Sequence, residues 1–254
     1  MDRQRISRLA HADHPIAAPL ADTTVERLLE RAVPEGARVL DLGCGRATWL
    51  QRILALRPDA VAEGVDTDGA ALALGREESR DRGVGDRLVL HEGDATAFTA
   101  PHRFEVVLSV GAAHAFGGLL PTLAAARRHL APGGRVLIGD GFWEREPDTP
   151  TLGALDAVPE DYADLATTVD RVVADGWTPV HGHISTLQEW DDYEWSWTGA
   201  LERWALDHLE DPGAVPAHRA AVEHRDAWLK GYRGTLGFLT LLLRPSLLPP
   251  STPR

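Results

Sequence analysis

The sequence predicts an α/β fold, a doubly wound and mostly parallel sheet of seven strands with an inserted helical lid. Three observations carry that expectation. Short apolar runs alternate with stretches long enough for helices between Arg38 and Gly139, the pattern of a parallel sheet built by crossover connections. Phe104–Val110 is an apolar run of the kind that occupies the centre of such a sheet, where both faces are covered. Val39-Leu40-Asp41-Leu42-Gly43-Cys44-Gly45-Arg46-Ala47-Thr48-Trp49-Leu50 reads as a strand, a glycine turn and the first turn of a helix, and the rest of the chain is organised around it.

With 254 residues, 44% of them hydrophobic, the chain can form one large domain with a buried core and still carry an insertion. Lys plus Arg against Asp plus Glu gives 26 − 38 = −12, and lysine occurs once, at Lys230. That acidic balance, without any run of Lys or Arg, argues against binding nucleic-acid phosphates or an anionic membrane. Cys44 is the single cysteine, which excludes an intrachain disulfide and a cysteine metal cluster. Met1–His14 is charged throughout and lacks the apolar core of a signal peptide, while Leu236–Leu243 is too short to span a bilayer. A cytoplasmic location is expected.

The elements follow in order. Residues 1–34 are expected as an N-terminal arm and helix. The arm is irregular to Pro19 and kept extended by Pro15 and Pro19; Asp22 or Thr23 then caps a helix with Val25, Leu28 and Leu29 on one face. Residues 35–188 are expected to be the α/β core, with strands at Arg38–Leu42, Val61–Val65, Arg87–His91, Phe104–Val110, Arg135–Gly139 and Val180–Leu187. Its helices run from Arg46 to Leu56, over Gly69–Asp81 behind an Asp68 cap, over Leu119–Leu130, and over Asp161–Asp175. Gly141–Pro159, rich in proline and glycine, reads as a long loop. Residues 189–231 are expected as two helices, separated by Asp211-Pro212-Gly213, that insert as the lid. Residues 232–243 hold the last core strand, Thr235–Leu243, and 244–254 read as a proline-rich disordered tail.

In the central turn, Gly43 and Gly45 flank a position where a side chain would block a ligand's approach to the backbone. The helix N-terminus behind them favours an anionic or strongly polar ligand. Asp41, at the strand end, repels a pyrophosphate and welcomes an ammonium group. The third glycine of the dinucleotide fingerprint would fall at Thr48, so that pattern is broken. Hydrophobic-Asp-Leu-Gly-Cys-Gly resembles the first motif of class I S-adenosylmethionine-dependent methyltransferases, whose ligand carries a cationic amino group. The resemblance implies a Rossmann-like fold and S-adenosyl-L-methionine as cofactor, with Asp41, Gly43, Cys44 and Gly45 among its contacts. Asp66 closes the second strand 66 − 45 = 21 residues after the second glycine. An acid there either accepts both ribose hydroxyls of an adenosine or caps a helix, and the motif before it favours ribose, with Thr67 beside it. The resemblance also implies that Asp94, next to Ala95, receives the adenine amino group, and that Ser109, Val110 and Gly111 belong to the cofactor site. It covers about residues 36–140.

Ser109-Val110-Gly111-Ala112-Ala113-His114-Ala115-Phe116-Gly117-Gly118 lacks the Asn or Asp followed by Pro-Pro-Tyr of amino-methylating nucleic-acid enzymes. It also lacks the Asp, and Gly139-Asp140-Gly141 lacks the Asp-Asn pair, of metal-dependent catechol-type enzymes, so no metal is expected. Gly111-Ala112-Ala113-His114 resembles a bacterial group of small-molecule methyltransferases that share the His-Pro arm, a Trp-rich insertion and the Gly-Phe-Leu-Thr-Leu strand. His114, at the carboxyl edge of the sheet, is the first candidate for a general base; a turn hydrogen bond or a place in the cofactor wall are its other roles. His14 is the second candidate, on an arm expected to be mobile, and Glu144 a third. Trp190, Tyr193, Trp197, Leu201 and Trp204 form one helical stripe, either a buried face packed on the sheet or an aromatic wall. Trp143, Trp195 and Trp197 are the candidate substrate contacts, and Glu189, Asp191, Asp192 and Glu194 are expected on the solvated side. The resulting expectation is direct in-line methyl transfer to a small molecule, its acceptor atom (O, N, S or C) left open. The alternatives are a cofactor-binding homologue without methyl transfer and a NAD-type reductase.

Overall fold

The computed structural model describes residues 1–247. The chain begins with α1 (Arg3–Ala10) and α2 (Asp22–Ala32), then alternates through β1 (Arg38–Leu42), α3 (Thr48–Leu56), β2 (Val61–Asp66), α4 (Gly69–Asp81), β3 (Leu88–Glu92), β4 (Phe104–Val110), α5 (Leu119–His129) and β5 (Leu130–Trp143). It continues with α6 (Thr149–Leu155), α7 (Leu165–Ala174), β6 (Trp177–Ile184), α8 (Leu187–Asp207), α9 (Ala214–Ala227) and β7 (Leu236–Pro245). The strands form one sheet in the order β3-β2-β1-β4-β5-β7-β6. β1 pairs in parallel with β2 and β4, β2 with β3 and β4 with β5, whereas β7 runs antiparallel to β6. The expected doubly wound, mostly parallel seven-stranded sheet is therefore present.

The burial of the middle strands explains the order. Val39, Leu40, Leu42, Val106, Val107 and Leu108 are fully buried, as both faces of a parallel sheet require. Strand order reverses between β1 and β4, and at such a switch point the carboxyl ends of the strands open a crevice for ligands.

The chain divides into two units. One, the sheet unit, holds Asp22–Asp140, Ala166–Ile184 and the chain from Leu239 on; the other, mostly helical, holds Met1–Ala21, Gly141–Leu165 and Ser185–Phe238. Within the helical unit, Leu201 and Ala205 of α8 pack with Ala217 and Ala221 of α9 and Ala10 of α1, and Trp197 and Trp204 lie against that cluster. Trp197, Leu201 and Trp204 of the aromatic stripe thus serve as a core within their own unit, with α1 and α9 as partners.

Several expectations about the elements need correction. The arm before Pro19 is not irregular throughout, because Asp2 accepts the Arg5 N–H at 2.7 Å and caps α1, whose Ile6, Leu9 and Ala10 find apolar partners. The glycines at 139 and 141 do not end β5. A Cβ at Gly141 would lie 2.7 Å from the Tyr162 ring, so glycine there permits a close approach within a continuing strand. Part of the expected loop 141–159 is α6, started by Asp148, which accepts the Thr151 N–H at 2.9 Å, with Pro150 in the first turn where its missing N–H costs nothing. Finally, Arg244 and Pro245 belong to β7 and not to the tail, whose residues 248–254 lie outside the described residues.

Candidate functional site

The turn after β1 is held from below by the end of β2. Gly43 and Cys44 both donate their N–H groups to the Val65 carbonyl, at 2.9 and 3.1 Å, and Gly45 donates to Asp66 Oδ2 at 2.8 Å. Gly43, Gly45 and Ala47 take φ values of +87°, +52° and +60°, so the backbone doubles back before α3 starts. No side chain caps α3, which leaves the helix N-terminus available to a ligand.

The two glycines do different things. A Cβ on Gly45 would meet nothing within 4 Å, so this is the open side of the turn. A Cβ on Gly43 would lie 2.5 Å from the Ala112 Cβ, in the turn after β4. Gly43 is therefore required by the approach of two turns to each other, which corrects the expectation that it clears space for a ligand. Gly64, which the sequence reading passed over, does the same for Cys44, whose Sγ would lie 2.7 Å from a Cβ there. Cys44 is buried, and its thiol is pushed well above the ordinary range, first by burial and then by the Asp41 and Asp66 charges. It is a packing group and a poor nucleophile.

Three carboxylates follow the strands outward. Asp41 is only 2% exposed, and burial, followed by the charge of Asp66, raises its carboxyl from the ordinary range to about 8. Asp66 is half-buried, and each of its oxygens takes one backbone N–H, from Gly45 and, at 2.9 Å, from Asp68. Each oxygen keeps a lone pair for a further donor. Asp68, not Asp66, caps α4 by accepting the Ala70 and Ala71 N–H groups, both at 3.0 Å, which frees Asp66 from the capping role. Thr67 is exposed between them. Asp94 lies on the surface beyond β3, where the Thr96 hydrogen bonds hold its carboxyl below the ordinary range, and Ala95 beside it is buried.

Ser109 at the end of β4 is buried and donates its hydroxyl to the Leu42 carbonyl at 3.0 Å, tying the two strand ends together. Val110 is half-buried, and Gly111, with φ +77°, donates its N–H to Gly139 at 3.0 Å. Ala112 then reaches Gly43, and His114 is exposed on the short 3₁₀ turn Ala113–Phe116. Asp41, Gly43, Gly45, Asp66, Gly111 and His114 thus all sit at the carboxyl ends of β1, β2 and β4. Among the described residues, no three His, Cys, Asp or Glu side chains gather as a metal site.

The helical unit holds the other candidates. His14 is fixed, not mobile: Nδ1 bonds the Ile16 carbonyl at 2.7 Å and the ring lies edge-on to Tyr193. A carbonyl only accepts, so Nδ1 carries a proton, and in the neutral ring Nε2 keeps a lone pair. Trp143 is buried, donates its indole N–H to the Pro159 carbonyl at 2.9 Å, and packs edge-on with Tyr162. Trp197 stacks on His224 with ring centroids 3.8 Å apart, and Trp195, 55% exposed, lies edge-on to Trp228. Glu144 is exposed.

Two of the acids expected at the surface are buried. Glu189 closes a capping box with Thr186 at the start of α8 and accepts the Ala21 N–H at 3.1 Å. Glu194 is 1% exposed and takes the Tyr232 hydroxyl at 2.7 Å and His224 Nε2 at 2.6 Å. Burial and the neighbouring carboxylate push the Tyr232 phenol far above its ordinary range. No periodicity separates Glu194 from its solvated neighbours; its partners arrive from 30 and 38 residues away.

Topology, an uncapped helix behind a glycine turn, and a buried acid at the end of β1 define a class I S-adenosylmethionine-dependent methyltransferase. The family model described as a methyltransferase domain matches residues 39–134. A solved S-adenosylmethionine-dependent methyltransferase from Geobacter sulfurreducens, in complex with S-adenosyl-L-homocysteine, is 25% identical with a TM-score of 0.87, covering 95% of this chain and 98% of that one. The YjhP protein of Escherichia coli K12 is 27% identical over 224 residues, 85% of this chain and 88% of its own length. Trans-aconitate 2-methyltransferase of Streptomyces avermitilis is 29% identical over 252 residues, 89% of this chain and 88% of its own length.

The residues present fit the cofactor. A buried carboxylate without a cationic side chain among the groups that perturb it suits an ammonium group, as in the methionine portion of S-adenosylmethionine. The open side of Gly45 offers backbone space beside it, and Asp66 retains acceptor capacity for hydroxyls.

Proposed function

We propose that this methyltransferase acts on a small-molecule acceptor, with Asp41 binding the cofactor's amino group and His114 serving as general base. The burial of Asp41 is the observation that carries the reading: a carboxyl held neutral at about 8 becomes a favourable anion once a cation is set against it. Asp66 takes the ribose hydroxyls, Asp94 with Ala95 the adenine edge, and Thr67, Ser109, Val110 and Gly111 complete the contacts. When bound, S-adenosylmethionine supplies a methyl group on a sulfonium for in-line displacement. The chain supplies position and orientation, which carry up to roughly 7–11 kcal/mol in well-aligned reactions.

His114, exposed at the carboxyl edge of β4, takes the proton that a hydroxyl or amine acceptor loses as it attacks. His14, with its free Nε2, is the second candidate base. The Streptomyces relative is named for methylating trans-aconitate, so small acids of that kind are the first acceptors to screen. Among the described residues, no helix is long and apolar enough to cross a membrane, and we place the enzyme in the cytoplasm without nucleic acid or membrane as partner.

Calorimetry tests the cofactor assignment. S-adenosylhomocysteine should bind, NAD should not compete, and Asp41→Asn should weaken binding by roughly tenfold or more, the value of a charge-assisted contact. Undiminished binding to Asp41→Asn would overturn the role of Asp41.

A further inference from the structure

A concave basic site lies away from the glycine turn. A cavity of about 290 Å³ is lined by Arg31, Arg135, Val180, His181, Leu242 and Arg244. Arg31 comes from the last turn of α2, and Arg135 from the first residues of β5 to pair with β4, opposite Val106. Arg244 stands near the end of the antiparallel β7, opposite Thr178. These positions lie toward the amino-terminal edge of the parallel strands, the edge opposite Gly43, Asp66 and Gly111.

The chain has 38 acidic residues against 26 Lys and Arg, yet among the described residues no carboxylate lines this cavity. Some arginines outside the cavity are paired with acids, Arg46 with Glu78, Arg52 with Asp22 and Arg233 with Asp191. Among the described residues, the three cavity guanidiniums have no such partner. Arg135 is oriented by donating Nη1 to the Arg31 carbonyl at 3.1 Å, which leaves it four other N–H donors. His181 is held below its ordinary value, first by burial and then by the positive fields of Arg31 and Arg27, so the local potential is positive. Val180 and Leu242 give the site an apolar wall.

We propose that this cavity binds a small, multiply charged oxyanion, with Arg31, Arg135 and Arg244 as its donors. Guanidinium forks match phosphate and carboxylate oxygens in pairs, and three of them around one cavity offset more than one negative charge. Phosphate esters and polycarboxylates share this chemistry. The site is independent of the methyl-transfer reading, because none of its residues belongs to the cofactor site.

Titration calorimetry on the full chain with pyrophosphate and, separately, citrate, at ionic strength held constant with sodium chloride, tests it. At least one anion should bind saturably, and the double variant Arg31→Gln/Arg244→Gln should lose affinity roughly tenfold or more, the scale of a charge-assisted pair. S-adenosylhomocysteine binding should stay within about twofold, which checks that the variant is folded; Arg244→Gln alone serves if the double variant is not. Saturation by pyrophosphate alone would assign a phosphorylated ligand, and by citrate alone a polycarboxylate. Saturation by neither, or equal affinity in the variants, would overturn the proposal.

Discussion

Two buried acids, one in each unit of the chain, are treated in opposite ways. In the sheet unit, Asp41 is buried with its carboxyl raised by burial and by a second acid, and α3 begins without a side-chain cap. In the helical unit, Glu194 is equally buried but holds Tyr232 and His224, and α8 begins on a complete capping box. Trp143 likewise has Pro159 for its indole N–H. The difference separates structure from function. A buried charge satisfied by its own chain holds a fold together, whereas one left without a counter-charge marks where a ligand completes the molecule.

That comparison can be broken by mutation. Glu194→Ala should cost about 1–3 kcal/mol of stability, the scale of leaving buried hydrogen-bond partners unsatisfied. Its effect on S-adenosylhomocysteine affinity should be negligible, as thermal melts and calorimetry on the same variant would reveal. A variant that melts normally but loses binding would reverse the assignment of the two regions. Gly43→Ala should cost about 2–4 kcal/mol, combining left-handed strain with the overlap against Ala112. Ala112→Gly in the same chain should recover the steric part and leave the φ strain. No recovery would mean that the overlap with Ala112 is relieved by other means.

A smaller effect separates chemistry from architecture. His114→Ala should lower turnover of a hydroxyl acceptor by roughly 10²-fold, within the range of general-base catalysis, while cofactor affinity changes by a few-fold at most. Steady-state kinetics decides it: a raised KM with turnover preserved would make His114 a wall of the pocket and leave His14 as the base.

Much of the cofactor unit was legible because its signals are local. Arg38–Leu42, Gly69–Asp81 and Phe104–Val110 fall where the sequence places them, since apolar runs, an Asp68 cap and glycine turns are read within a few residues. What escaped depends on partners distant in sequence. α1 was hidden by its charged face, and α6 by a proline that starts a helix as readily as it breaks one. The true neighbour of Gly43 is Ala112, and the cavity arginines come from positions 31, 135 and 244, so a search for basic runs passes over them. Glu194 shares a stretch with three other acids, and only the tertiary arrangement distinguishes it.

The protonation of Asp41 tests the central claim most directly. Its folded carboxyl lies at about 8, above the ordinary unfolded value near ~3.9. The sign follows: the folded chain binds the extra proton, so this contribution to stability is full below ~4 and is lost as pH rises toward 8. An ammonium group set against Asp41 favours the carboxylate and expels the proton. S-adenosylhomocysteine keeps that ammonium and lacks the sulfonium, so it isolates the effect. Titrated at about pH 6.5 in two buffers of very different ionisation enthalpy, it should release on the order of one proton per site, and Asp41→Asn should release none. Binding with no proton release in the unaltered chain would mean that Asp41 is already ionised or meets no cation, and the account of the site would fail.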